Sequence, residues 1–223
     1  MPAQPAPQPL EAAEPPTPDD LRPTAFLDRD SDAVRRLAGE AAAGAADEHE
    51  VARRLFAAIR DGVRYDPYRI PADPDDYRAS AVLEAGSGYC VQKAVALTAA
   101  ARAAGIPSRL GFADVKNHLQ SDRLRERMGT DLFVYHGYST LYIGGRWTKA
   151  SPTFNAGLCA FFGVPPLEFD GTRDALLHAF TGSGTRHMEY VRDRGVYADL
   201  PLDTILAAYR TAYPGIEQGE AIT

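Results

Sequence analysis

Apolar side chains recur at helical intervals in the first third of the chain. Ser31 or Asp32 can cap a first helix, which we predict to run to about Ala46. A second amphipathic helix is predicted by apolar residues spaced three and four positions apart, namely Val51, Leu55, Ala58 and Ile59. Gly62 opens a turn-rich stretch that ends this helix, and Ser80 can cap a further short one.

The middle of the chain carries a longer, alanine-rich helical run. Residues 91–104 are rich in alanine, which predicts a helix that begins near Cys90. Gly105 and Pro107 end it, because neither residue continues a helix well. A last helix is expected over residues 202–213, before a Pro-Gly pair.

Strand-like patterns follow the central helix. Alternating, β-branched and aromatic residues predict strands over 109–113, 132–143 and 146–150. The dipeptide Gly144-Gly145 is a two-residue hairpin signal between the last two strands, and Pro152 ends the hairpin. Residues 114–129 are charged and predict a loop or a short helix. The order of elements therefore predicts an α+β fold with an antiparallel sheet.

Composition and charge narrow the possible functions. The chain has 223 residues, a formal net charge of −6 and a pI near 5.4. We predict a mobile Pro- and Ala-rich tail over residues 1–22 and one domain over residues 23–223. The excess of acidic residues argues against nucleic-acid binding. The sequence contains no run of about 18 apolar residues, so we expect no membrane span. Because the first residues do not resemble a secretory signal, we expect a cytoplasmic protein.

The two cysteines, Cys90 and Cys159, do not have the spacing of a metal site. We expect free thiols, with a disulfide between them as the alternative. His118 with Asp114 can make a metal or substrate contact, although a solvated loop histidine is the simpler interpretation. We interpret the remaining histidines as structural or surface residues, namely His49, His178 and His187. No metal or cofactor is therefore expected.

Cys90 is the residue with the clearest chemical signal. It follows a loop of small residues and stands at the predicted start of a helix. Helix N–H groups and the helix dipole favour a thiolate there, and a thiolate is a nucleophile. The same N–H groups can stabilise an oxyanion. The alternative is a small, buried, unreactive cysteine.

His136 lies in the long predicted strand, where alternation places it on one face with Val134, Tyr138 and Thr140. A histidine in such surroundings is often only a hydrogen-bonded core residue. Paired with Cys90, it becomes a candidate general base that takes the thiol proton and returns it to the leaving group.

The combination of these stretches resembles the transglutaminase-like superfamily over about residues 50–156. The stretches are 88–94 (GYCVQKA), 104–109 (AGIPSR), His136 on a strand, 144–147 (GGRW) and 151–155 (SPTFN). Residues 111–114 (GFAD) and 117–119 (NHL) resemble a bacterial branch of the superfamily. The resemblance implies a papain-like α+β core in which a nucleophile helix packs on an antiparallel sheet. Cys90 then corresponds to the nucleophile and His136 to the base.

The third catalytic position departs from the family pattern. The family usually has aspartate immediately before Pro-Thr, and Ser151 stands there. A serine hydroxyl can accept from the imidazole but carries no charge to stabilise imidazolium. Asn155, four residues on, and Asp170, in a later acidic stretch, are the alternatives.

The resemblance implies thiol-mediated acyl transfer on a peptide, amide or thioester through an acyl-enzyme. Hydrolysis is the preferred outcome, because the bacterial relatives are commonly protease-like. Two alternatives are a binding module that has lost catalysis, marked by Ser151, and an amide-forming biosynthetic acyltransferase. Calcium is used by some animal members, but no acidic loop supports it here. The mixed charged and aromatic stretch 186–190 is either a cover over the cleft or an ordinary helix face.

Overall fold

The computed structural model describes Leu10 and residues 14–118, 120–176 and 188–213. The helices are α1 (Asp32–Ala42), α2 (Glu48–Gly62), α3 (Ala79–Ala85), α4 (Cys90–Ala103), α5 (Asp122–Met128), α6 (Ala156–Phe161) and α7 (Leu202–Ala212). The strands are β1 (Arg64–Tyr65), β2 (Ser87–Gly88), β3 (Ser108–Asn117), β4 (Leu132–Ile143), β5 (Arg146–Ala150) and β6 (Met188–Tyr197). Short 3-10 helices lie at Pro18–Leu21 and Pro74–Tyr77. Within these ranges, no helix is long and apolar enough to span a bilayer.

One four-stranded antiparallel sheet and one buried helix form the centre of the fold. The strand order is β5-β4-β3-β6, and β1 and β2 form a separate parallel pair. Helix α4 packs between β4 on one side and α1, α2 and α3 on the other. Helix α4 is buried on all sides. Its many alanines have small side chains, so the neighbouring elements can approach it closely. This confirms the expected α+β fold with the Cys90 helix on an antiparallel sheet.

Several predicted elements have the expected bounds. The strands β4 and β5 span the predicted residues, and the turn between them has positive φ at both Gly144 (59°) and Gly145 (79°). Those angles fit the type I′ turns that match the twist of a hairpin.

The first helix is shorter than predicted. It ends at Ala42 and is followed by Gly44 with φ 64°.

Two strands differ from the predictions. β3 continues to Asn117, because its second half pairs with β4 on one side and β6 on the other. β6 was not predicted, and the helix face considered for 186–190 is wrong for the described residues, since Met188 begins this strand. Most β6 side chains are charged or exposed, so no alternation marks the strand in the sequence.

The structure differs from the predicted mobile tail at residues 18–21. This segment is a 3-10 helix, and Asp20 is 1% exposed, with its carboxylate bound by Arg109. Nearby, Trp147 Nε1 donates to the Glu14 carbonyl at 2.7 Å. The composition of this segment predicts mobility, because composition does not reveal that Asp20 binds a buried arginine 89 residues further along the chain. Residues 1–9 and 11–13 lie outside the described part of the chain.

The histidines outside the site have ordinary contacts where they are described. His118 Nε2 lies 3.3 Å from Glu189 Oε2, and the Asp114 carboxylate is bound by Arg194, so the alternative in which His118 and Asp114 share a ligand finds no support. His49 Nδ1 lies 3.2 Å from the Gly171 carbonyl. His178 and His187 fall outside the described residues. No metal-type cluster occurs among the residues the structure describes.

Candidate active site

Cys90 is the first residue of α4, and Tyr89 is its N-cap. Its side chain is buried, with the residue 5% exposed. The backbone N–H groups of Gly137, Val91 and Cys90 itself lie near the sulfur and act to lower the pKa of the thiol. The sulfur therefore lies where backbone donors from a helix start and from a strand converge.

Gly137 allows this close approach of α4 to β4. A Cβ atom there would lie 2.8 Å from the Val91 Cα, a distance that real structures do not contain. Two hydroxyls join the following turns of α4 to β4. Ser139 Oγ donates to the Ala94 carbonyl at 3.0 Å, and Thr98 Oγ1 donates to Ser139 Oγ at 2.9 Å. The glycine thus places the nucleophile directly against the strand that carries the histidine.

His136 and Cys90 line one small cavity of about 40 Å³, which we call the nucleophile cavity. The remaining walls are mainly aromatic and aliphatic, including Tyr65, Pro67, Ile70, Tyr89, Phe133 and Tyr209. The structure therefore brings together the two residues that the sequence singled out, and both are buried.

Ser151 is the partner of His136. The Nε2 atom of His136 lies 3.3 Å from Ser151 Oγ, which in turn lies 2.9 Å from Thr153 Oγ1. When Nε2 carries the proton and Ser151 accepts it, Nδ1 keeps a free lone pair that can act as a base.

The other two candidates for the third position are engaged elsewhere. Asn155 Oδ1 accepts from the Tyr65 N–H at 3.3 Å, and Asn155 is the N-cap of α6. Asp170 lies in an exposed turn, where Oδ1 accepts from the N–H and the hydroxyl of Thr172, both at 2.8 Å. Of the three candidates, Ser151 is therefore the one whose side chain contacts His136.

Burial controls the protonation states of the pair. Burial raises the pKa of Cys90 to about 11, although the N–H donors act in the opposite direction. Burial also lowers the pKa of His136 to about 4. The N–H groups at the helix start favour the thiolate, as predicted, but desolvation outweighs them, so the net shift favours the neutral thiol. At neutral pH the pair consists of a thiol and a neutral imidazole.

A larger cavity of about 170 Å³ adjoins the nucleophile cavity, since Tyr65 and Pro67 line both. Its apolar walls include Tyr68, Leu124, Phe154, Leu158, Phe162 and Val164. Arg64, Asp66 and Gln120 supply polar groups. Cys159 lies on this wall rather than beside His136, and both cysteines are free.

A β-bulge precedes His136 and was not foreseen. Ala113 pairs with His136, whereas Val115 pairs with Phe133, so two residues of β4 oppose the single Asp114. The second of them, Tyr135, has φ 52°, the one positive φ of a non-glycine residue in the described chain. Such a conformation costs about 1–3 kcal/mol and persists only where the surroundings impose it. The bulge breaks the alternation predicted between Val134 and His136.

The family model of the transglutaminase-like superfamily matches residues 35–152, just over half of the chain. The protein belongs to the transglutaminase-like superfamily. The matched region begins in α1 and ends just after Ser151, so it contains Cys90, His136 and Ser151. A search of curated proteins gave no match.

Solved structures resemble parts of the chain. A candidate cysteine protease from Cytophaga hutchinsonii is 19% identical, with a TM-score of 0.44, and the match covers 78% of this chain and 46% of that one. The periplasmic domain of TgpA from Pseudomonas aeruginosa is 22% identical, with a TM-score of 0.42 and coverage of 60% and 45%. A candidate protease from Parabacteroides distasonis is 19% identical, with a TM-score of 0.39 and coverage of 57% and 26%. The chain thus spans less than half the length of these proteins.

Proposed function

We propose that this protein catalyses thiol-mediated acyl transfer, with Cys90 as nucleophile and His136 as general base. The observation that carries the proposal is the shared cavity of Cys90 and His136, with Cys90 at the start of α4. Membership of the transglutaminase-like superfamily supports the same reaction class, since cysteine-based catalysis accompanies that core.

In the first step, the Cys90 sulfur attacks the substrate carbonyl carbon while His136 Nδ1 takes the thiol proton. Proton transfer accompanies attack, because burial keeps both resting groups neutral. The carbonyl π electrons move to oxygen, and the N–H groups around the sulfur, that of Cys90 among them, are the nearest donors for the oxyanion. When the oxyanion collapses, the bond to the leaving nitrogen or sulfur breaks, and His136 returns its proton to that atom.

The second step releases the acyl group from Cys90. His136 removes a proton from a water molecule as its oxygen attacks the thioester, and the thiol is reformed with the acid product. An amine in place of water would give a new amide. Hydrolysis is the preferred outcome, and an amide-forming acyltransferase is the alternative that differs only in the acceptor.

The substrate is an amide, peptide or thioester with an apolar acyl group. The cavity that adjoins Cys90 through Tyr65 and Pro67 has aromatic and aliphatic walls and a volume of about 170 Å³. A cavity of roughly 150 Å³ accommodates a benzene ring, so a ring or a branched aliphatic chain fits the space.

A second candidate is a binding module that keeps the fold without catalysis. Ser151 favours it, because a neutral hydroxyl beside His136 gives imidazolium no charge stabilisation. In this case the cavities would hold a ligand and Cys90 would remain inert.

Cysteine substitution separates the two functions. We expect Cys90→Ala to abolish turnover of aromatic and aliphatic thioesters, a loss of about 10⁴-fold or more. Cys159→Ala is the control for loss of a buried free thiol: because Cys159 lines the adjoining acyl cavity and not the cavity of Cys90 and His136, we expect this variant to change KM at most and to keep turnover. Equal turnover by wild type and Cys90→Ala would refute the proposal, and absence of turnover in the wild type would favour the binding module.

A further inference from the structure

The carboxylate of Asp114 lies directly behind the β-bulge. Its Oδ1 accepts from the Tyr135 N–H at 3.1 Å. The same carboxylate is bound in a two-pronged manner by Arg194, with Nε–Oδ1 at 2.9 Å and Nη2–Oδ2 at 2.7 Å. Asp114 is 4% exposed, so these bonds form away from bulk water.

Arg194 also contacts the side chain of the bulge residue. Its guanidinium lies over the Tyr135 ring, with the Cζ atom 4.8 Å from the ring centroid. The ion pair therefore holds Tyr135 twice, through its backbone N–H and through its ring. This double contact explains how a residue that is not glycine keeps a positive φ at this point of β4.

The next two residues of β4 are the ones that face Cys90. His136 lines the nucleophile cavity, and Gly137 packs against the first turn of α4, where a Cβ atom on it would lie 3.2 Å from the Cys90 carbonyl oxygen; its N–H also acts to lower the pKa of the Cys90 thiol. A change in the backbone at Tyr135 would thus move both the base and the Gly137 N–H. We propose that Asp114 and Arg194 are positioning residues, which fix the bulge at Tyr135 and thereby aim His136 at Cys90. The positioning role itself does not depend on the proposed function; only the predicted fall in turnover rests on it.

A second ion pair on the same strand provides a matched control. Asp20 and Arg109 are 1% and 2% exposed, and Arg109 binds the carboxylate with Nε–Oδ1 at 2.8 Å and Nη2–Oδ2 at 2.9 Å. Arg109 also lies over an aromatic ring, that of Trp147, at 4.2 Å. In β4, however, Arg109 pairs with Thr140, four residues beyond His136. Loss of this pair removes the same chemistry without touching the bulge.

The test compares Asp114→Ala with Asp20→Ala in the full chain. The first readout is the ¹⁵N–¹H imidazole spectrum, in which His136→Gln assigns the His136 signal. We expect Asp114→Ala to shift that signal and Asp20→Ala to leave it in place. The second readout is turnover, for which we expect a 10- to 100-fold fall with Asp114→Ala and less than about a twofold change with Asp20→Ala.

Asparagine variants keep the test valid if an alanine variant does not fold. Asp114→Asn keeps an acceptor for the Tyr135 N–H but weakens the hold on Arg194, so its effects should lie between those of Asp114→Ala and wild type. Asp20→Asn again serves as control. The proposal is overturned when the His136 signal is unchanged by the Asp114 variants, or changes equally with the Asp20 variants. An inactive wild type would overturn the proposed function instead, while the spectra would still decide the positioning role.

Discussion

Two arginine–aspartate pairs involve β3, and they have similar chemistry and different consequences: the side chains of Arg109 and Asp20 are both buried, whereas Arg194, the partner of Asp114, is about one-fifth exposed. Arg109 and Asp20 join the first half of the strand to the 3-10 helix at Pro18–Leu21. Asp114 and Arg194 join the second half to β6, and Asp114 also accepts the Tyr135 N–H. One pair fastens an early segment of the chain to the sheet, whereas the other holds the backbone beside His136. The contacts of an ion pair, rather than its geometry, therefore determine whether it serves stability alone.

Of the changes that test this comparison of the two ion pairs, we expect loss of Asp20 to have the largest effect on stability. We expect Asp20→Ala to lower the free energy of unfolding by about 3–5 kcal/mol, because it leaves Arg109 buried without its carboxylate partner. Urea denaturation followed by circular dichroism measures this change, and the turnover of the folded fraction should stay near the wild-type value. A folded Asp20→Ala protein with strongly reduced turnover would break the distinction between the two pairs.

Acid should act on the two regions in separate pH ranges. Burial holds the His136 pKa at about 4, below the ordinary value of about 6.5, so between these values the unfolded chain binds more protons than the folded one. Stability should therefore fall by on the order of 3 kcal/mol as pH drops from about 6.5 to about 4, and His136→Gln should remove this loss.

The Asp20 region responds at lower pH. Burial opposes ionisation of Asp20, but the hydrogen bond from Arg109 contributes to a net lowering of its pKa below 3.8. Its stabilisation is present above that value and is lost as pH falls through the lowered pKa. Denaturation curves at several pH values for His136→Gln and Asp20→Asn separate the two ranges. An unaltered loss between pH 6.5 and 4 in His136→Gln would contradict the account.

The smallest expected effect concerns Ser151. We expect Ser151→Asp to raise the pKa of His136 by about one unit, because a carboxylate at 3–4 Å favours imidazolium. Titration of the His136 signal by NMR measures the shift, and Thr153→Ser controls for changes in the neighbouring hydroxyl pair. An unchanged or lowered pKa would place Ser151 outside the control of this base.

Local patterns predicted the parts of the fold that depend on nearby residues. The start of α4 at Cys90 and the hairpin of β4 and β5 follow from short-range signals such as small residues and Gly144-Gly145. The contact between His136 and Ser151 followed from position in the family pattern. These features require no knowledge of distant partners.

The features that escaped prediction depend on distant contacts. Alternation cannot reveal the bulge at Tyr135, because its support comes from Asp114 and from Arg194, which is 80 residues further along the chain than Asp114. The burial of Asp20 depends in the same way on Arg109. The raised pKa of Cys90 follows from how deeply the helix start is covered, a property of the assembled fold.

Detection of the acyl-enzyme tests the central claim most directly. Wild-type protein is mixed with an aromatic acyl thioester, quenched in acid within milliseconds and digested for mass spectrometry. The account predicts one added acyl group on the peptide that contains Cys90, greatly reduced when His136 is replaced by glutamine. Acylation confined to Cys159, or none at Cys90 while substrate is consumed, would contradict it.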